Sequence, residues 1–144
     1  PEEEIAFRGR LVGGCLDCLA NLAGTGYDGV RAFADRYRED GIIWFLESCD
    51  LTVMAMRRAV WELKHAGWFG HVKGFLIGRP LHFGEEIMGL DQYWAVTDLL
   101  AEYGVPVIMD ADFGHLPPAM PLVSGAVGEV TVKGNEIGIR YEMK

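Results

Sequence analysis

Val105-Pro106-Val107-Ile108-Met109-Asp110-Ala111-Asp112-Phe113-Gly114-His115 is an apolar run that breaks into two carboxylates and an imidazole. Val105 to Met109, with its β-branched residues, predicts a short buried strand. Asp110, Asp112 and His115 then fall just past the C-terminal end of that strand, the edge where open α/β sheets bind ligands. Two other apolar runs end in the same manner, Ile42 to Leu46 in Glu47 and Phe75 to Ile77 in Gly78-Arg79. If the three strands are parallel neighbours, Glu47, Arg79, Asp112 and His115 converge on one rim.

Helical patterns lie between these runs. Asp50 is expected to cap a helix whose inward stripe is Val53, Met56, Val60 and Leu63, with Gly67 as its stop. The methionines of this helix and Trp61 read as core. Leu81 to Leu90 reads as a loop carrying His82, Glu85 and Glu86. Asp91 is expected to cap the next helix, which turns Val96, Leu99, Leu100 and Tyr103 inward and stops at Gly104. Residues 41 to 109 therefore read strand, helix, strand, helix, strand. That alternation implies a parallel sheet with right-handed crossovers.

Upstream, Ile5 to Val12 reads as a strand broken by Gly13-Gly14, a glycine pair that serves either as a turn or as the wall of a site. Leu16, Leu19, Ala20 and Ala23 have helical spacing before Gly24. Asp28 is placed to cap a second helix with Val30, Phe33, Ala34 and Tyr37 on one face. Downstream, Pro117-Pro118 and Pro121 mark a stiff loop. Leu122 to Val132 and Glu136 to Tyr141 read as an antiparallel pair with Gly134-Asn135 in its turn. The expectation is one α/β domain over residues 1–144, with a short parallel sheet, flanking helices and a C-terminal antiparallel strand pair.

The 144 residues are half hydrophobic and about a quarter charged, as in a globular protein with a real core. A net charge of -8 without a basic run argues against nucleic acid and against an anionic membrane surface. No apolar stretch approaches the roughly 20 residues of a membrane span. Pro1-Glu2-Glu3-Glu4 is not signal-peptide chemistry. The three cysteines, Cys15, Cys18 and Cys49, give no disulfide framework and suit a reducing compartment. Cys15-Leu16-Asp17-Cys18 is formally C-x-x-C, but without a second pair it reads as small buried residues at a helix start.

Glu47 and His115 are the residues to which the rim assigns chemistry. A histidine acts as a general base near neutral pH, and a carboxylate on its other nitrogen fixes tautomer and orientation. Such a base contributes about 10²–10⁴ in rate, but only beside a group to deprotonate. The chain's only serines, Ser48 and Ser124, lie in no strained nucleophile elbow. If the strand continues past Glu47, Ser48 points to the opposite face and Cys49 returns to the same one, so a Cys49/His115/Glu47 site is one alternative. Another is a divalent cation held by Asp110, Asp112 and His115 with Glu47, activating water. A third is a non-catalytic binding or dimerisation domain.

Several segments taken together resemble the C-terminal half of the LD-carboxypeptidases, serine peptidases that include murein tetrapeptide carboxypeptidases and microcin-immunity hydrolases. They are Gly9 to Leu16, Leu22 to Thr25, Phe45-Leu46-Glu47, Lys73 to Arg79, Pro106-Val107 through Asp112-Phe113-Gly114-His115, and Pro121-Leu122. The resemblance implies a swivelling β/β/α-type domain. It implies that Glu47 and His115 are two members of a Ser-His-Glu triad. The serine and the oxyanion donors would come from an N-terminal domain, whose Gly-x-Ser-Asp type motif this chain does not contain. It further implies hydrolysis of the bond before a C-terminal D-amino acid of a muropeptide, in cytoplasmic cell-wall recycling, without a metal or other cofactor. An exposed apolar surface is expected where the N-terminal domain docks, and a homodimer would cover it. Gly14, Cys15, Arg79 and Asp112 would border the substrate, with a structural ion pair as the alternative role of Arg79. Many members of the family carry asparagine where this chain has Cys15.

Overall fold

Ile42 to Glu47, the apolar run expected to be covered on both faces, forms strand β2 inside a six-stranded sheet in the computed structural model, which describes residues 1–142. The elements in chain order are β1 (Ile5–Cys15), α1 (Leu16–Leu19), α2 (Val30–Arg36), β2 (Ile42–Glu47), α3 (Val53–His65), β3 (Val72–Gly78), β4 (Glu86–Ile87), β5 (Leu90–Asp91), α4 (Trp94–Leu100), β6 (Val107–Ala111), β7 (Val127–Lys133) and β8 (Glu136–Glu142). The large sheet has the order β6-β3-β2-β1-β7-β8. β6, β3, β2 and β1 are parallel neighbours, whereas β7 runs antiparallel to both β1 and β8. The predicted α/β class, parallel sheet and closing antiparallel pair are all present, with a two-stranded β4–β5 ribbon besides. Among the described residues no helix is long and apolar enough to cross a membrane.

Period-two alternation sorts β2 between two cores. Ile42, Trp44 and Leu46 face the helices and join Val53, Met56, Val60 and Leu63 of α3 and Val96, Leu99 and Leu100 of α4. Trp44 stacks on Trp68 with ring centroids 5.7 Å apart and meets Phe69 edge-on at 5.5 Å. Removing so large a buried ring costs about 3–5 kcal/mol, so Trp44→Ala would use up much of a domain's stability. The other face carries Ile43 with Leu11, Leu76, Phe113, Val130 and Val132, and the sheet curls around this second cluster. Glu47 has the parity of Ile43 and Phe45, so its side chain leaves the strand on the side away from the helices.

Strand β1 runs straight through the expected break at Gly13-Gly14. Gly13 is needed for close approach rather than for a turn, because a Cβ there would collide with the carbonyl oxygen of Phe45 on β2. β1 also changes partner along its length. Ile5 to Arg10 pair with β7, and Arg10 to Cys15 pair with β2. Arg10 marks the hand-over, donating to Asp40 and to the Gly125 carbonyl while its guanidinium lies over the Tyr37 ring.

Other departures are local. The helix after Cys15 is a single turn, Leu16–Leu19, followed by further turns rather than reaching Ala23. Thr52, not Asp50, is the N-cap of α3, accepting the Ala55 N–H, and Glu85 reaches across to accept the Val53 N–H at 2.7 Å. Trp61 is not core. It is 54% exposed and lies against His65. Asp28 and Asp91 do serve helix starts, accepting the Val30 and Trp94 N–H groups. The strand expected from Leu122 begins only at Val127.

Candidate functional site

The rim at the C-terminal ends of β1, β2, β3 and β6 brings Glu47, Arg79, Asp112 and His115 together as two linked pairs. In the first, Nδ1 of His115 lies 2.9 Å from Oε2 of Glu47. Glu47 is 6% exposed and buried beneath the loop, whereas the His115 side chain is 48% exposed. One imidazole nitrogen is therefore held by a buried carboxylate while the ring reaches solvent, the arrangement that leaves Nε2 to exchange a proton with a substrate or nucleophile. The hydrogen bond that His115 donates to Glu47, reinforced by the carboxylate's charge, raises the His115 pKa above its usual value despite some opposing desolvation.

Two glycines make room for this pair. A Cβ at Gly78 would lie 2.6 Å from the Phe113 carbonyl oxygen and 2.9 Å from the Glu47 Cβ. Gly114, at φ +106, lets the loop close directly over the carboxylate. Both glycines end apolar strands or follow them, Ile77-Gly78 and Phe113-Gly114. That position is the signal from which a close approach could have been read.

In the second pair, Nη2 of Arg79 lies 2.9 Å from Oδ1 of Asp112. The same nitrogen donates to the Pro118 carbonyl at 3.0 Å and, at 3.4 Å, to that of Leu116. Arg79 thus grips the loop on both sides of His115. The carboxylate it holds is Asp112 of its own chain.

Cys15 and Glu47 are cross-strand partners in the parallel register of β1 and β2, on the same face. Cys15 donates to Oδ2 of Asp17 at 3.3 Å. Asp17 in turn accepts the backbone N–H groups of Cys49 at 3.0 Å and Asp50 at 2.7 Å, fixing the turn that follows Glu47. Burial alone would raise the Asp17 pKa, but these N–H groups hold it below the usual value. The role of Asp17 is not legible in the sequence, because its partners lie beyond a different strand. Gly14 precedes Cys15 on β1, and a Cβ there would meet open space.

The thiols are not poised as nucleophiles. Burial first, then the hydrogen bond to Asp17 and the nearby Glu47, pushes Cys15 up to about 12. Cys49 is raised as well, by desolvation and by Asp50, Asp17 and Glu47. A reactive thiol needs the opposite environment, and among the described residues the thiol that gathers with Glu47 and His115 is that of Cys15, not Cys49, so the structure lends the Cys49/His115/Glu47 alternative no support. The loop cation site expected from Asp110, Asp112 and His115 is not assembled either. Asp110, at φ +57 beside a register shift between β3 and β6, turns its carboxylate to the Tyr93 hydroxyl at 2.7 Å and the Gln92 amide at 3.2 Å. Asp112 is taken by Arg79.

Residues 8–130 match the LD-carboxypeptidase C-terminal domain family. Among solved structures, the chain superposes on a muramoyltetrapeptide carboxypeptidase from Oxalobacter formigenes with a TM-score of 0.76 at 23% identity, covering 97% of this chain and 46% of that one. It superposes on the microcin C7 self-immunity protein MccF with a TM-score of 0.74 at 22% identity, covering 96% of this chain and 39% of that one. An MccF-like protein from Bacillus anthracis gives a TM-score of 0.67 at 25% identity, over 95% of this chain and 40% of that one. The chain thus spans less than half the length of each of these structures. No curated protein sequence matches it.

Proposed function

Since the chain belongs to the LD-carboxypeptidase C-terminal domain family, we propose that it supplies the base and the orienting acid of a serine L,D-carboxypeptidase. The observation that carries this reading is the 2.9 Å contact between His115 Nδ1 and buried Glu47 Oε2. The serine and the oxyanion donors are assigned to an N-terminal domain that closes on the rim. The substrate is a murein tetrapeptide processed in the cytoplasm during cell-wall recycling. Gly14 and Cys15 would border its peptide. Exposed Trp61 and Trp94 offer an apolar surface for the expected homodimer.

The chemistry follows from the pair. Nε2 of His115 takes the serine proton as the oxygen attacks the carbonyl before the terminal D-alanine. The tetrahedral oxyanion collapses, the C–N bond breaks, and the imidazolium gives its proton to the leaving amine. A water then repeats the sequence on the acyl-enzyme and frees the serine. Glu47 holds the tautomer throughout and stabilises the imidazolium.

D-alanine release from a murein tetrapeptide tests the assignment. The polypeptide containing both domains should release D-alanine, this chain alone should not, and His115→Ala in the two-domain protein should abolish release with the fold intact. Turnover by this chain alone would refute the split triad. Peptide binding without turnover by the two-domain protein would favour a non-catalytic binding domain instead.

A further inference from the structure

The site holds a third donor that the proposed hydrolysis does not use. One donor atom each of Cys15, Glu47 and His115 lies within 4.8 Å of the others, and they form the one such His/Cys/carboxylate group among the described residues. A thiol, a carboxylate and an imidazole are the mixed donor set that suits zinc(II), whose bonds of about 2.0–2.3 Å place tetrahedral ligand atoms roughly 3.4–3.7 Å apart. The widest separation in the cluster, up to 4.8 Å, exceeds that spacing by roughly 1.1–1.4 Å. His115 is the donor free to adjust, because it is half-exposed and sits on a loop. Cys15 and Glu47 are fixed by strand register, so two of the three positions are already set. Asp17 and Asp50 add negative charge around the ring, which favours a dication.

We propose that Cys15, Glu47 and His115 form a binding site for a zinc-like divalent cation, with the fourth position open to solvent. Zinc entering through Nδ1 would take the place of the proton between His115 and Glu47, which moves to Nε2 as the ring changes tautomer. It would release the thiol proton of Cys15 to solvent. The ion would thus capture the two side chains assigned to catalysis and hold the site silent. Only that last consequence rests on the proposed function, and binding itself is read without activity.

The test uses this chain with cobalt(II) as a spectroscopic stand-in and zinc(II) as competitor. A 1:1 complex with a near-ultraviolet thiolate-to-cobalt band, displaced by zinc, is expected. Cys15→Ser should abolish the band, and His115→Ala should weaken binding at least about tenfold. Cys18→Ser and Cys49→Ser should leave both unchanged. His115 is half-exposed, so its variant should remain folded even if a change at Cys15 disturbs the strand end. Absence of the band, its survival in Cys15→Ser, or its loss with Cys18 or Cys49 would each overturn the proposal. An intact cobalt site with no D-alanine release from the two-domain protein would instead count against the reaction and leave the metal site standing.

Discussion

The α-carbon of Gly114 faces the Glu47 carboxylate so closely that a methyl group at position 114 would stand 2.7 Å from Oε2. The loop that delivers His115 is therefore seated on its own hydrogen-bond partner. Gly114→Ala must push that carboxylate aside and also hold alanine at φ +106. A residue so strained costs roughly 1–3 kcal/mol. Thermal unfolding should show that loss. The His115 resonance should titrate nearer its ordinary value, since the Glu47 contact is what raises it. In the two-domain protein a displacement of this kind should cost about 10²-fold in turnover.

The raised pKa of His115 sets a pH dependence. A histidine whose folded value is raised contributes stability that is fully present below its unfolded value. That stability is lost as pH rises through the folded value. Activity runs the other way, because the base must be neutral, so the acid limb of kcat/KM should lie above the ordinary histidine range. Glu47→Gln should bring the His115 titration down, measured by NMR on this chain. A titration unchanged in Glu47→Gln would show that the contact does not govern the ring.

Arg79 holds the His115 loop through Asp112, Leu116 and Pro118. Charge-assisted hydrogen bonds of this sort contribute about 1.5–3 kcal/mol. Arg79→Ala should speed amide exchange across residues 112 to 118 while leaving the α3 core protected. Arg79→Lys should rescue only in part, because all three contacts are made by Nη2 and a lysine ammonium ends one bond short of it. Equal exchange in wild type and Arg79→Ala would mean the loop is held by other contacts.

Asp17 carries a comparable load on the other side of the site. Its carboxylate accepts the N–H groups of Cys49 and Asp50, and its pKa is depressed for that reason although burial opposes the shift. A depressed carboxylate gives stability present above its unfolded pKa and lost as pH falls through the folded one. Asp17→Ala should lower the urea midpoint by the equivalent of about 1–2 kcal/mol near neutral pH, with the gap closing in acid.

Much of this was legible in the sequence because strands buried on both faces write themselves as continuous apolar runs. Ile42 to Leu46 and Phe75 to Ile77 are such strands, whereas Val105 to Met109, expected to be buried, lies on a half-buried strand at the sheet edge; the ends of these runs place Glu47, Arg79 and the loop to His115. What escaped was non-local. Gly13-Gly14 means a turn or a close approach depending on whether Phe45 lies opposite. Asp17 has no meaning until residues 49 and 50 fold back to it. Asp110 reads as a ligand from spacing alone, because neither its φ of +57 nor the Tyr93 hydroxyl that its carboxylate meets leaves a mark in the sequence. Trp61 adjoins the buried stripe of α3, and apolarity alone could not say on which side of the boundary it falls.

The changing partnership of β1 carries a consequence for how the molecule comes together during synthesis. β2, β3 and β6 are each joined by one helical crossover, so they can associate as soon as they leave the ribosome. The first half of β1 cannot do so, because Ile5 pairs with Val132 and must wait for nearly the whole chain. Contacts so distant in sequence form slowly. Until they form, Leu11 lacks the Val130 and Val132 side chains of its cluster. The nascent protein therefore has an interval in which its helical side is built and its opposite side is bare, and in that interval a chaperone would find most to hold.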